Sequence, residues 1–321
     1  MSALLEVRGL TVDFTGEPAI RAVDDVDLSV ATRERLAIVG ESGSGKSQLL
    51  LACTGLLAAN GGSRGSVRFD GRELLGDARV TGDVRGRGIG FVFQDASGSL
   101  TPHRSIGNQL AEVTMAASGV GRRAALDEAA AMLGRVRLPE AGRLLAQYPH
   151  ELSGGMRQRV AIALALMAKP RILFADEPTT ALDVTVQAEV MALLASLCSE
   201  FGMALLIVTH DLGVVAALAD RIAVMYAGRF VEVGEAQALL SKPRHPYTAG
   251  LLAAVPRLGD CGELATIPGS PPRPGEVIRG CRFAPRCPRS ADPCRSTDPL
   301  LAGQDVARVA CHFPLDLGDR S

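Results

Sequence analysis

Eight residues constrain this chain more than any others: Gly40-Glu41-Ser42-Gly43-Ser44-Gly45-Lys46-Ser47. Leu36-Ala37-Ile38-Val39 before them reads as a buried strand and residues 48–57 read as a helix, so the Gly-rich segment is a strand-to-helix turn. In such a turn glycines let successive backbone N–H groups point inward around phosphate oxygens, and the positive end of the following helix adds to the attraction. Lys46 is then placed to bridge β- and γ-phosphates, with the Ser47 hydroxyl on Mg²⁺. Composition sharpens the point, because the chain holds only three lysines, Lys46, Lys169 and Lys242, which makes a chance match less plausible. The alternative, a Gly/Ser-rich turn with no ligand, fits the strand-to-helix setting poorly.

With 321 residues there is room for one large domain and an appendage, or for two domains. Hydrophobic residues at 47% and charged ones at 21%, with glycine and proline dispersed, describe a globular chain. A formal net charge of −1 supplies no basic field, so nucleic acid is not expected as a partner. The longest apolar run, 160–168, is about half of the roughly 18 residues that span a bilayer. The first residues lack a basic segment followed by an apolar one, so no secretory signal, a cytosolic location and reduced cysteines are expected.

Segments 4–7, 10–14 and 23–30 predict an antiparallel β start, and 65–70 and 89–93 are further strands. From 105 to 147 Leu126, Ala129, Ala130, Leu133 and Val136 recur at helical spacing, with Asp127, Glu128 and Arg135 opposite, which predicts a helical insertion. A helix over 156–168, a strand over 172–175, a helix over 184–201 and a strand over 204–208 then alternate as in a parallel sheet, whose ligands lie at the carboxyl ends of the strands. Segments 222–226 and 229–233 predict a closing hairpin. Past Lys242-Pro243 the composition turns to Pro, Arg and Cys, which sets a boundary near 240.

Asp176 and Glu177 follow four apolar residues and so stand where the parallel sheet would present acid to phosphate. Asp176 is expected on Mg²⁺ and Glu177 as the base for an attacking water; a strand stop with a helix cap is the plainer reading. Gln94 after its strand offers a carbonyl to Mg²⁺, and His210 after another could reach a γ-phosphate. Leu152-Ser153-Gly154-Gly155-Met156-Arg157-Gln158-Arg159 opens an apolar helix with a cap residue, giving a second helix end suited to phosphate.

Together, the phosphate loop, Gln94, Leu152-Ser153-Gly154-Gly155, Asp176-Glu177, Ala181-Leu182-Asp183 and His210 resemble, in order and spacing, an ATPase subunit of an ABC transporter over residues 4–240. The resemblance implies an α/β phosphate-loop ABC ATPase with an N-terminal antiparallel β subdomain, a mainly parallel core sheet and a helical insertion. Its domain division is a cassette over 1–240, with a helical subdomain about 95–165, and a small Cys/Pro-rich extension over 241–321. It implies two subunits sandwiching two ATP molecules, with Ser153, Gly154 and Gly155 acting on the partner's nucleotide. The catalytic set is then Glu177, His210 and Gln94. ATP contacts are Gly40, Ser42, Gly43, Ser44, Gly45, Lys46, Ser47, Gln48, Asp176, Ser153, Gly154, Gly155, Gln158 and Asp183; Ser47, Gln94 and Asp176 serve Mg²⁺. For the adenine ring Phe14 is the best candidate, though it also reads as a core strand residue.

Lys242 to Thr248, Leu251 to Pro256 and Cys281-Arg282-Phe283-Ala284-Pro285-Arg286-Cys287 with Cys294 resemble the C-terminal extension of oligopeptide/dipeptide importer ATPases. Ala96 and Thr101 depart from that family, which usually has Pro and often Asn there. Cys281, Cys287, Cys294 and Cys311 are separated by five, six and sixteen residues, unlike the C-x₂-C of common zinc ribbons. Four thiolates suit zinc or an iron–sulfur cluster, and the resemblance favours a [4Fe–4S] cluster, with zinc and free thiols as the alternatives. Cys261 stands outside the matched block. The function implied is the ATP-hydrolysing motor of a peptide-type importer, peripheral on the cytoplasmic face. Its partners are a second ATPase subunit, two membrane-spanning permease subunits and an extracytoplasmic substrate-binding protein. A nickel or metal-chelate importer and a soluble ABC ATPase are the alternatives.

Overall fold

The computed structural model describes residues 3–180, 182–255, 266–273, 275–276, 278–304 and 307–315. Two compact units are present: Ala3–Val30, Arg35–Gly76 and Val208–Ser321 form one, Asp77–Ile207 with Ala31–Glu34 the other.

The first unit opens with β1 (Leu5–Phe14), β2 (Ile20–Val30), β3 (Arg35–Val39), α1 (Lys46–Cys53), β4 (Gly61–Phe69) and β5 (Arg72–Glu73). The antiparallel start is present as a four-stranded sheet of order β2-β1-β4-β5. Alternation puts Leu5, Val7, Leu10 and Val12 in the core. The two segments expected at 4–7 and 10–14 are one strand: Gly9 adopts φ +56 and the register slips between Val7 and Leu10, so the strand bulges without ending.

The helix after the Gly-rich turn starts and stops earlier than the sequence suggests. Gly45, at φ +102, is its N-terminal boundary, and Thr54 and Gly55 end it, the Thr54 hydroxyl donating to the Leu50 and Leu51 carbonyls. Leu49, Leu50, Ala52 and Cys53 bury its inner face, each aliphatic side chain of Leu size contributing about 1.5–3 kcal/mol.

The second unit runs through α2 (Ala78–Val84), β6 (Ile89–Val92), α3 (Ala96–Ser99), α4 (Ile106–Ser118), α5 (Arg122–Arg135), α6 (Ala141–Ala146), a 3₁₀ turn (Pro149–Glu151), α7 (Gly154–Leu166), β7 (Ile172–Asp176), α8 (Val184–Phe201) and β8 (Ala204–Thr209). β6 and β7 pair in parallel, as the βα alternation requires. The helical insertion is three helices. Its buried stripe on α5 is Ala125, Ala129, Met132 and Leu133, so Leu126 and Ala130 lie at the stripe's edge. Ser105 caps α4, accepting from the Asn108 N–H at 3.4 Å, and Gly119 at φ +70 closes it.

The chain then returns to the first unit with α9 (Leu212–Leu218), β9 (Arg221–Tyr226), β10 (Arg229–Glu235), α10 (Ala236–Ser241), α11 (Pro246–Ala253), a 3₁₀ turn (Ala284–Arg286), α12 (Asp292–Ser296), β11 (Ala302–Gln304) and β12 (Ala307–Val309). β3 pairs β9 in parallel and β9 pairs β10 antiparallel. The hairpin turns on two residues, Ala227 at φ +45 and Gly228 at φ +87, the left-handed pair that suits strand twist. It does not finish the sheet, because β12 adds to β10 and β11 to β12. Among the described residues no helix is long and apolar enough to cross a membrane.

Candidate nucleotide site

In the first unit, residues 40–45 carry the chain from β3 into α1. Gly43 and Gly45 are both left-handed, at φ +78 and +102, conformations that cost an L-residue with a Cβ. A Cβ on Gly45 would stand 2.1 Å from the Ala22 carbonyl oxygen, whereas one on Gly43 would meet nothing within 4 Å. One glycine is demanded by packing behind the loop and the other faces open space. No side chain caps α1, so its first N–H groups suit an anion.

Lys46 is 4% exposed, and its ammonium donates to the Gly40 and Glu41 carbonyls at 2.9 Å each. The Ser44 carbonyl accepts from the Gly228 N–H at 2.9 Å, so the hairpin turn backs the loop. Ser42, Ser47 and Gln48 lie on the same turn and the first residues of α1. Phe14 ends β1 opposite Gly61, where its ring lies so close that a Cβ on Gly61 would fall 2.7 Å from it. His210 follows β8 and is exposed.

In the second unit, Asp176 is the last residue of β7 and 6% exposed. Glu177 follows at φ +43, and its carboxylate accepts from the Gln94 amide at 3.3 Å and from the Thr180 hydroxyl at 2.8 Å. The structure thus joins Gln94 to Glu177, a pairing that the sequence did not reveal. Thr180 was missed outright; its position three residues past Glu177 was the only signal. A carboxylate held by two donors in one orientation is a suitable base for a water molecule.

Ser153 caps α7, its hydroxyl accepting from the Met156 N–H at 3.3 Å. Gly154 and Gly155 form the first turn, and Gln158 on the next is 4% exposed. Asp183 caps α8, accepting from the Val186 N–H at 3.0 Å; Ala181 before it lies outside the described residues.

The cysteine expectation needs correction. Cys281, Cys287, Cys294 and Cys311 do line one small cavity with His245, Phe283, Arg289 and His312. Yet among the described residues no group of three or more His, Cys, Asp or Glu is arranged to hold a metal ion, which overturns the [4Fe–4S] cluster and leaves zinc without support. The surroundings give the reason. All four are free thiols, and burial pushes Cys281 up to about 11 and raises Cys287 and Cys311 as well; this setting favours neutral thiols over the thiolates a metal needs. Cys261 lies outside the described residues.

Two side chains that the sequence left without a role meet the loop at Glu41. The Tyr247 hydroxyl accepts from the Glu41 N–H at 2.9 Å, and Arg286 grips the Glu41 carboxylate with two nitrogens at 2.7 and 3.0 Å. The Glu41 bond raises the Arg286 pKa further, and burial raises that of Tyr247.

The family described as ABC transporter matches residues 23–180, and the one described as oligopeptide/dipeptide transporter, C-terminal region, matches 231–294. An oligopeptide transport ATP-binding protein of Salmonella typhimurium, OppD, is 48% identical over 98% of this chain and 95% of its own. A putative peptide import ATP-binding protein of Brucella abortus is 47% identical over 98% of this chain and 96% of its own. Among solved structures, a dimeric ATP-binding cassette in a post-hydrolysis state with ADP and phosphate is similar with a TM-score of 0.65 and 30% identity, over 72% of this chain and 98% of its own.

Proposed function

Because the chain belongs to the ATP-binding subunits of ABC transporters, in their oligopeptide/dipeptide branch, we propose that it is the ATP-hydrolysing motor of a peptide importer. The observation that carries this reading is the loop before α1, with buried Lys46 and an open face at Gly43, in a chain 48% identical to an oligopeptide transport ATPase over 98% of its length.

The β- and γ-phosphates lie in the cradle of Gly40, Ser42, Gly43, Ser44, Gly45 and Ser47, and Lys46 leaves the Gly40 and Glu41 carbonyls for them. Phe14 meets the adenine ring, and Gln48 completes the first turn. Mg²⁺ suits the hard oxygen donors of Ser47, Gln94 and buried Asp176 and would neutralise phosphate charge there. Glu177, aligned by Gln94 and Thr180, takes a proton from the water that attacks the γ-phosphorus. His210 donates a hydrogen bond to that phosphate. Charge builds on the transferring group, so these positioned donors stabilise the transition state more than the bound nucleotide.

Ser153, Gly154, Gly155, Gln158 and Asp183 serve the nucleotide of a second ATPase subunit, and closure of the pair moves two permease subunits fed by an extracytoplasmic binding protein. The chain sits peripherally on the cytoplasmic face. It divides functionally into a cassette over 1–240, with its helical subdomain about 95–165, and an extension over 241–321.

The test is co-purification with the membrane subunits, reconstitution into vesicles, and uptake of labelled peptide and labelled nickel. ATP-dependent peptide uptake is expected; nickel uptake without peptide uptake contradicts the cargo, and absence of any membrane partner contradicts the motor.

A further inference from the structure

The contacts that hold the phosphate loop at Glu41 from outside come from the C-terminal extension. Arg286 is nearly fully engaged: besides its two bonds to Glu41, it donates to the Pro268 carbonyl at 2.9 Å, the Ile267 carbonyl at 3.3 Å and the Tyr226 hydroxyl at 3.4 Å, with a side chain 5% exposed. Such a fork fixes its carboxylate in direction as well as distance. Tyr247, fully buried, holds the same residue's backbone N–H and packs on Tyr226 with ring centroids 4.6 Å apart. Four residues before Arg286, Arg282 donates to the Ala227 carbonyl and to Asp24, which steadies the hairpin turn whose Gly228 N–H bonds the Ser44 carbonyl.

Glu41 is no neutral anchor point. Its carbonyl is one of the two that hold the Lys46 ammonium, so its placement decides where that ammonium rests. Tyr247 also withdraws the Glu41 N–H from the phosphate-binding donors.

We infer that Arg286 and Tyr247 are positioning residues for nucleotide binding, holding Glu41 and through it the entry of the phosphate loop in the shape that receives phosphates. The inference rests on the ATPase reading above. It makes the extension part of the nucleotide site rather than an appendage, and it gives Cys281 and Cys287 a plain setting as the two ends of the turn that carries both arginines.

The experiment measures the equilibrium affinity of the full-length chain for a fluorescent ATP analogue, alongside its thermal midpoint, for wild type, Arg286→Gln, Arg286→Lys, Tyr247→Phe and a surface control, Arg295→Gln. Losing a charge-assisted fork should raise Kd about 10- to 100-fold in Arg286→Gln, and losing one neutral bond about 2- to 10-fold in Tyr247→Phe. Arg286→Lys should fall between wild type and Arg286→Gln, and Arg295→Gln should match wild type. In Glu41→Gln/Arg286→Gln the loss should not exceed that of the worse single variant. Kd unchanged in Tyr247→Phe and Arg286→Lys, with only the midpoint lowered, would mean glue between segments and overturn the inference. A wild-type chain that binds no ATP overturns the site reading, and the inference with it.

Discussion

Gly43→Ala and Gly45→Ala should fail in opposite ways. Both positions have left-handed backbone, φ +78 and +102, so each alanine carries a backbone cost of about 1–2 kcal/mol. They differ in what the methyl meets: nothing within 4 Å at Gly43, and the Ala22 carbonyl oxygen at 2.1 Å at Gly45. Relieving that second contact requires roughly 1 Å of movement between β2 and the loop, because real Cβ contacts essentially never fall below about 3 Å. Overpacking of this kind adds about 1–3 kcal/mol. The expected losses are therefore about 1–2 kcal/mol for Gly43→Ala and about 2–5 kcal/mol for Gly45→Ala. Urea unfolding measures both, and equal m-values keep the comparison one of stability. ATP affinity should respond the other way round per unit of stability lost, since the Gly43 methyl projects into the face left open for phosphate. Equal stability losses in the two variants, or a Gly43→Ala chain with undiminished affinity, would refute the assignment of one glycine to packing and the other to ligand.

Two further outcomes follow from titration. His245 is 1% exposed and its Nδ1 accepts from the Tyr247 N–H at 3.0 Å; burial lowers its pKa to about 4 from an ordinary 6.5. The unfolded chain thus binds the extra proton first, so stability should fall as pH drops from about 6.5 to 4, by as much as roughly 3 kcal/mol, and His245→Gln should flatten that slope in urea titrations. Cys281, raised to about 11 by burial, and Cys53, raised to about 12, should resist alkylation near neutral pH and stabilise less as pH rises through 9 toward those values; mass spectrometry of labelled peptides checks the rates, and prompt labelling of Cys281 at pH 7 would contradict the burial argument.

Much of this was legible in the sequence because the informative features are local. Gly40 to Ser47 announces its own turn, and the spans predicted for α8 and for β7, β8, β9 and β10 agree with the structure to within two residues; fully buried strands such as β7 and β8 write themselves as apolar runs. Boundaries moved where backbone conformation outvoted composition, as at Gly9 and Gly45. What stayed hidden is non-local. No spacing rule links Gln94 to Glu177, 83 residues apart, or Glu41 to Arg286, 245 apart. The cysteines show the converse error: crowding along the chain does bring four thiols to one cavity, but a cavity that leaves them unarranged for metal is a property of packing. Phe14 is half-buried against Gly61, a position the sequence could describe equally as core or as adenine platform.

The central claim, that this chain hydrolyses ATP with Glu177 as base, is tested most directly by Glu177→Gln. Gln94 and Thr180 supply donors that the new amide oxygen can still accept, so the fold and the phosphate cradle should persist while the proton acceptor is lost. Phosphate release measured beside ATP affinity should show turnover down about 10²- to 10⁴-fold, or roughly 3–5 kcal/mol of barrier, with affinity kept within a few-fold. Near-normal hydrolysis by the Glu177→Gln chain would contradict the account.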